Sequence, residues 1–373
     1  MRNRILVLTI ALAVLLAGAL PALAAADTDA ALAYLQSQQN ADGGFGSGFS
    51  PDSTVGSTSD TLLAILSVGG NPADFDQDGN TPLTYLAANA ASVTTAGDLA
   101  KMVLAVSAAG ENPRTFAGFD AVAKLESMAG ADGRIGGDAD TFVAHVLSVL
   151  ALSGVQRPVA PAALDLIKKA QQEGGGWSWD GTDATPADTN TTAFAVQALV
   201  AADEPAGGAV IAQALNYYQS IQNADGGWPY QNPSQYGTDT DANSTAVVIQ
   251  ALVAAGQDPA GADWTSAEGK TALAALEALQ NDSGAFAWQA AMPDDNLLAT
   301  VQALPAVAGK AFPLVTMSVG EAAAPAEAQA APAAPAPETT PETGGAAVNL
   351  LWPLMLGGAS LLGGGYALRR KKA

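Results

Sequence analysis

One phrase, Gln-Asn-Ala-Asp-Gly-Gly-aromatic, occurs twice almost letter for letter, at residues 39–45 and 222–228. Altered copies stand at 171–177, 280–286 and, most eroded, 130–133. Each copy closes an Ala- and Leu-rich amphipathic stretch and opens a polar loop. A phrase recurring at one structural position marks a chain built from stacked supersecondary units.

The unit is clearest from residue 214 to 256. Leu215, Tyr218, Ile221 and their neighbours give a helix with a single apolar stripe. Two glycines then break the helix, and a polar run leads to a second stretch, 245–255, that is apolar on nearly every face. Such a helix is buried. Each unit therefore pairs an amphipathic outer helix with a buried inner one. The pattern predicts six pairs, with outer helices starting near Asp29, Pro82, Phe116, Pro161, Gly208 and Ser266. The inner helices are expected from about Thr58, Gly97, Asp138, Asp188, Asn243 and Pro293. An open stack would need polar caps at both ends. The first and last units show none, so the expected fold is all-α: an α6/α6 toroid, a double ring of about twelve helices.

The ends read differently. Residues 1–26 carry Arg2 and Arg4, an apolar core and a small-residue site at Ala22-Leu23-Ala24, as a secretory signal does. The toroid is expected over 27–319, an Ala/Pro/Glu spacer over 320–345, and an anchor over 346–373. Residues 348–368 carry no charge and precede Arg369-Arg370-Lys371-Lys372, which suits a membrane-spanning helix with its basic end in the cytoplasm. The expected location is the extracellular face, attached to the membrane or the cell wall.

All 36 acidic residues lie between the two apolar ends, against nine basic ones, so the exported part carries −27. That field disfavours nucleic acid. Cysteine is absent and His145 is the only histidine. Thiolate nucleophiles, cysteine-ligated metals and disulfides are thereby excluded.

Tyr34-Leu35, Gln39 and Gly43-Gly44-Phe45, with Tyr217-Tyr218, Gln222 and Gly226-Gly227-Trp228, resemble the Gln-Trp motif of the squalene-cyclase and prenyltransferase repeat superfamily. The resemblance covers essentially the whole region between signal and spacer. It implies an α/α toroid in which the glutamine clasps a neighbouring helix and the aromatic packs in the outer layer. Sugar stacking on Trp177, Trp179, Trp228, Tyr230 and Trp288 is the sharper alternative. Thr340-Pro341-Glu342-Thr343-Gly344 similarly resembles a sortase sorting signal, with Thr340 where the usual form has leucine. Sortase and the cell wall are the partners this implies; a plain membrane anchor is the other reading.

Cyclases of the superfamily that protonate a polyene carry Asp-x-Asp-Asp-Thr-Ala before an inner helix, the middle aspartate being the acid. Here the matching run is Asp241-Ala242-Asn243-Ser244-Thr245-Ala246, and its parallel is Asp188-Thr189-Asn190-Thr191-Thr192-Ala193. The acid position is asparagine in both. Only Asp138-Ala139-Asp140 keeps two acids, with His145 as a candidate partner. Asp, Asn and Thr before a helix also act simply as N-caps. The superfamily's zinc-dependent prenyltransferases bind metal through Asp, Cys and His, which this chain cannot do. These residues lead to the expectation of a non-catalytic surface toroid binding an unidentified extracellular ligand. Asp188, Asn190, Asp241, Asn243, Asp294 and Asp295 are its candidate ligand-binding residues, at the mouth where inner helices begin. A terpene-cyclase-like or carbohydrate-active enzyme is the alternative.

One loop has a possible metal reading of its own. Asp74, Asp76, Asp78 and Asn80 alternate as in the first half of an EF-hand, with Gly79 at the turn. Tyr85 stands where the loop's closing glutamate belongs. Calcium is the one cofactor the sequence suggests; an acidic surface turn is the simpler reading.

Overall fold

The computed structural model describes residues 25–321 except Asp138 and Tyr236. The signal core, most of the spacer and the anchor lie outside the described residues, among which no helix is long and apolar enough to cross a membrane.

Six outer helices alternate with six inner ones among the described residues. The outer set is α1 (Thr28–Gln38), α3 (Pro82–Asn89), α5 (Ala121–Glu126), α7 (Pro161–Lys169), α9 (Ala209–Ile221) and α11 (Ala272–Glu277). The inner set is α2 (Val55–Ser67), α4 (Ala96–Ala108), α6 (Phe142–Gly154), α8 (Thr189–Ala201), α10 (Ala242–Ala254) and α12 (Leu297–Val307). Each inner helix packs on the next, and α12 packs back on α2, so the ring is closed.

A single device starts every inner helix. Thr54, Thr95, Thr141, Asp188, Asp241 and Asn296 each accept the backbone N–H three residues on. Such a cap satisfies a donor the helix itself cannot, for about 1 kcal/mol. The caps correct three expected starts. Before α12 the chain is a strand, β2 (Met292–Asn296), paired antiparallel with β1 (Phe286–Gln289). Phe116 begins only a 3-10 turn, and Ser266 lies in a turn ahead of α11.

The repeated phrase is the joint between units. Gln39 Nε2 bonds Gly43 O in its own loop and Phe75 O ahead of the next outer helix, at 2.9 and 3.0 Å. Gln171 and Gln222 repeat this toward Val210 O and Trp264 O. Gln280 makes the same bond to Asp27 O at 2.8 Å, while Asp27 N–H donates to its Oε1 at 2.7 Å. The last unit thus clasps the first. The phrase's first glycine lets the joint close: Gly226 has φ +92°, and a Cβ there would lie 2.7 Å from Thr271 O. No other residue fits both demands.

The far end of the ring is covered. Phe312 N–H donates to Gln197 Oε1 and Met317 N–H to Gly154 O, at 2.8 and 3.0 Å. Arg114 and Arg157 hold Gly320 O while pairing with Glu126. Among the described residues, the cavity lies toward the end where inner helices begin.

Candidate functional site: the mouth of the ring

Helical geometry decides which residues see the lumen. Counting from each cap, position +4 turns outward and +2 and +6 turn inward, since residues four apart share a face. At +4, Thr58, Thr192, Thr245 and Thr300 accept the backbone N–H of the phrase's aromatic, Phe45, Trp177, Trp228 and Phe286. At +2 stand Asn190 and Asn243, and at +6 Asp60, Lys101, Phe194 and Gln302, all lining one cavity of about 190 Å³.

Two carboxyls dominate its rim. Asp188 accepts Thr191 N–H at 2.7 Å and Thr191 Oγ1 at 2.8 Å; Asp241 does the same with Ser244, at 2.7 and 3.0 Å. Tyr230 bridges the two, its hydroxyl bonded to the Asp188 carboxyl and its N–H to that of Asp241. Both acids are buried, 0% and 1% exposed. Burial pushes each from 3.8 up to about 7, outweighing the hydrogen bonds that favour the charged form. Across the lumen Lys101 Nζ meets Asp60 Oδ2 at 2.6 Å. Burial raises the Asp60 carboxyl as well, against the pull of Lys101. Phe49, Phe194, Tyr230 and Trp288 supply aromatic faces.

Asp188, Asn190, Asp241 and Asn243 therefore converge as expected. Asp294 and Asp295 do not: both are exposed on β2, and Asp295 holds Asn281 and Ser283 in the joint loop. Asp138 lies outside the described residues. Asp140 caps backbone instead, accepting Ala96 N–H at 3.0 Å and Gly137 N–H at 2.9 Å. His145 is not its partner. It occupies position +4 of α6, takes the Ile135 N–H on Nδ1 at 3.0 Å, and faces Ala163 O through Nε2 at 3.1 Å. With Ile135 in the aromatic's place, the histidine replaces both the threonine and the glutamine clasp of the other joints. Burial lowers its pKa, so it is neutral.

The Asp74 loop does not assemble a metal site either. Asp74 accepts the Asn71 amide, Asp76 caps Gly79 N–H, and Asn80 donates to Ala41 O. Among the described residues no three acidic or histidine side chains converge. Asp74 and Asp76 are bonded within their own turn, and Asn80 to the neighbouring loop. Trp177 and Trp228 are fully buried, their Nε1 donating to Ile167 O and Tyr218 O, so they pack rather than stack on sugar.

Asp60, Lys101 and Gln302 escaped sequence reasoning, while Tyr230 and Trp288 entered it only as candidate sugar-stacking aromatics. Tyr230 and Trp288 each stand two residues after a joint aromatic and line the cavity. The other three share the +6 register, which becomes visible once the caps are known.

The family model for the squalene-hopene cyclase C-terminal domain matches residues 128–292, and that for the prenyltransferase alpha-alpha toroid domain matches residues 3–141. The chain belongs to the squalene-cyclase and prenyltransferase repeat superfamily. No curated protein sequence matches it significantly. Among solved structures, the type II terpene cyclase MstE from Scytonema, in complex with geranylgeranyl dihydroxybenzoate, is 14% identical with a TM-score of 0.53 over 75% of this chain and 95% of that one. A complex of the same cyclase with its product merosterolic acid A gives 0.52 at 15% identity, over 75% and 95%. A protein from Actinoplanes gives 0.53 at 14%, over 75% and 97%. These likenesses establish a shared fold. The match to the C-terminal domain of squalene-hopene cyclase overturns the expectation of a non-catalytic binding toroid.

Proposed function

We propose that the chain is a class II terpene-cyclase-like enzyme acting on a polyprenyl chain drawn into the lumen. The observation that carries this reading is the pair of buried carboxyls, Asp188 and Asp241, raised to about 7 at the mouth of a largely apolar cavity. An acid that keeps its proton near neutral pH is what proton-initiated chemistry requires.

Asp241 is the proton donor in this reading. Its proton goes to a carbon of the terminal alkene, the C=C electron pair forms the new C–H bond, and the carboxylate remains. Tyr230 N–H and the Ser244 hydroxyl are in place to hold that carboxylate. The cation is attacked by the next alkene in the chain, closing a ring, and the last cation loses a proton to water. Phe194, Tyr230 and Trp288 offer ring faces to the positive charge. The acid has moved from the superfamily's usual middle position, here Asn243, to the cap itself.

The apolar segments at both chain ends support placing this enzyme at a membrane face, where apolar chains partition. Incubating the full chain with geranylgeraniol and with geranylgeranyl dihydroxybenzoate tests the reading. Ring-containing isomers of unchanged mass are expected, and Asp241→Asn should abolish them. Complete absence of isomerised product from both probes would overturn it.

A further inference from the structure

Register +6 places one residue of each inner helix at a single level of the lumen: Asp60, Lys101, Leu147, Phe194, Val247 and Gln302. That level lies about 9 Å of helix rise below the ring of caps. All six line a narrow chamber under the mouth cavity, and Asp60, Lys101, Phe194 and Gln302 line the mouth cavity as well. In the closed ring α2 stands three places from α8 and two from α10. Asp60 therefore sits across the lumen from Phe194, and deeper than Asp188 and Asp241.

The carboxylate is the partner of the Asp60–Lys101 pair that the lumen meets. Although α2 is an inner helix, the Asp60 side chain is 28% exposed, against 10% for Lys101. Lys101 Nζ engages Oδ2 at 2.6 Å. Oδ1 makes no hydrogen bond among the described residues, and it is not enclosed by them. Distance from bulk water raises this carboxyl against the pull of Lys101, which makes it a stronger base than a surface aspartate. The other carboxyls lining the mouth cavity are the mouth acids themselves. Structure alone does not call for a charge here. Leu147 and Val247 fill the same register in other units, and apolar residues generally replace such a pair without loss of stability. A carboxylate across an apolar space from an aromatic ring is instead a place for positive charge.

We propose that Asp60 is the base that ends the reaction, its Oδ1 removing the proton from the carbon beside the last cation. The inference rests on the cyclase reading and names the group through which that proton reaches water. The C–H bond breaks, its electron pair becomes the new C=C of the product, and the carboxyl then releases the proton to water. Asp241 starts the positive charge at the rim. Ring closure moves it along the folded chain, and Asp60 meets it lower down on another wall.

Product analysis of the full chain and its variants with geranylgeraniol and geranylgeranyl dihydroxybenzoate tests this. Asp60→Asn should cut the cyclised isomers by roughly a hundredfold, as loss of a positioned base does. The stranded cation is then captured by water, so cyclised products heavier by one water should appear. Asp241→Asn should give neither, because no cation forms. Asp60→Glu should restore part of the isomer yield. If the unpaired Lys101 unfolds Asp60→Asn, the double variant Asp60→Asn/Lys101→Met removes both charges and should divert the cation in the same way. Unchanged isomer yield and ratio in Asp60→Asn overturns the inference and leaves the cyclase reading standing. So does loss of isomers with no hydrated product from a folded variant, which is how an initiating or merely structural residue behaves. Absence of cyclised product from the unaltered chain removes both.

Discussion

The first three inner helices begin with Thr54, Thr95 and Thr141, and the last three with Asp188, Asp241 and Asn296. All six residues make the same bond to the same backbone position. The molecule therefore contains its own control: threonine caps a buried inner helix adequately. Burying a carboxyl in that slot adds a desolvation cost that capping alone does not require, and in Asp188 and Asp241 the cost is visible as a pKa raised to about 7. What the second half of the ring gains is a buried carboxyl with a raised pKa at the lumen's rim. The same slot does a structural job in one half and is free to carry chemistry in the other.

The sharpest way to break this comparison is to give the second half the caps of the first. Asp241→Thr keeps a hydroxyl acceptor for Ser244 N–H, so the cost in stability should stay within about 1 kcal/mol. Cyclised product should fall by roughly three orders of magnitude or more, since a threonine cannot serve as the acid. A thermal melt read beside a product assay separates the two quantities. Asp241→Thr with full activity would show that the acid is only a cap.

A second test uses pH. For Asp188 and Asp241 the folded pKa of about 7 lies above the unfolded 3.8, so in that interval the folded chain binds more protons than the unfolded one. Stability from these groups is then greatest at the acid end and falls as pH rises from about 4 to 7, by up to roughly 1.4 kcal/mol per pH unit for each group. Above 7 the slope vanishes. Melting temperatures of the unaltered chain and of the Asp188→Thr/Asp241→Thr double variant should therefore diverge steadily across that window, with the variant relatively more stable at pH 7. Parallel curves would mean that the two carboxyls ionise normally in the fold.

Legibility in the sequence followed the same division. The ring was readable because the Gln and Gly-Gly of the joint recur at one position and because each serves one purpose, as Gln280 and Asp27 show by closing the circle. The lumen was not. Inner helices such as α10 are buried on nearly every face, so no stripe separates the side facing the outer layer from the side facing the cavity. Without the caps as a reference, Asp60, Lys101 and Gln250 look like isolated polar residues in buried segments. The acids of the Asp74 loop misled in the opposite direction: alternate spacing suits a cation, but Asp74 and Asp76 answer to Asn71 and Gly79 in their own turns.

The smallest expected effect concerns the joint between the third and fourth units, where the glutamine clasp is missing and His145 takes its place. His145→Thr installs the residue found at the same register in four other units. Threonine can still accept the Ile135 N–H, as Thr192 accepts that of Trp177 at 2.9 Å. It cannot reach Ala163 O, which His145 now engages at 3.1 Å. One hydrogen bond and some packing are lost, so destabilisation of about 1–2 kcal/mol is expected, with product formation unchanged because the ring faces away from the lumen. His145→Gln restores a donor and should recover part of the loss. Should His145→Thr abolish turnover in a chain that still melts cooperatively, the histidine would belong to the chemistry, and the separation of outward +4 residues from inward +2 and +6 residues would fail with it.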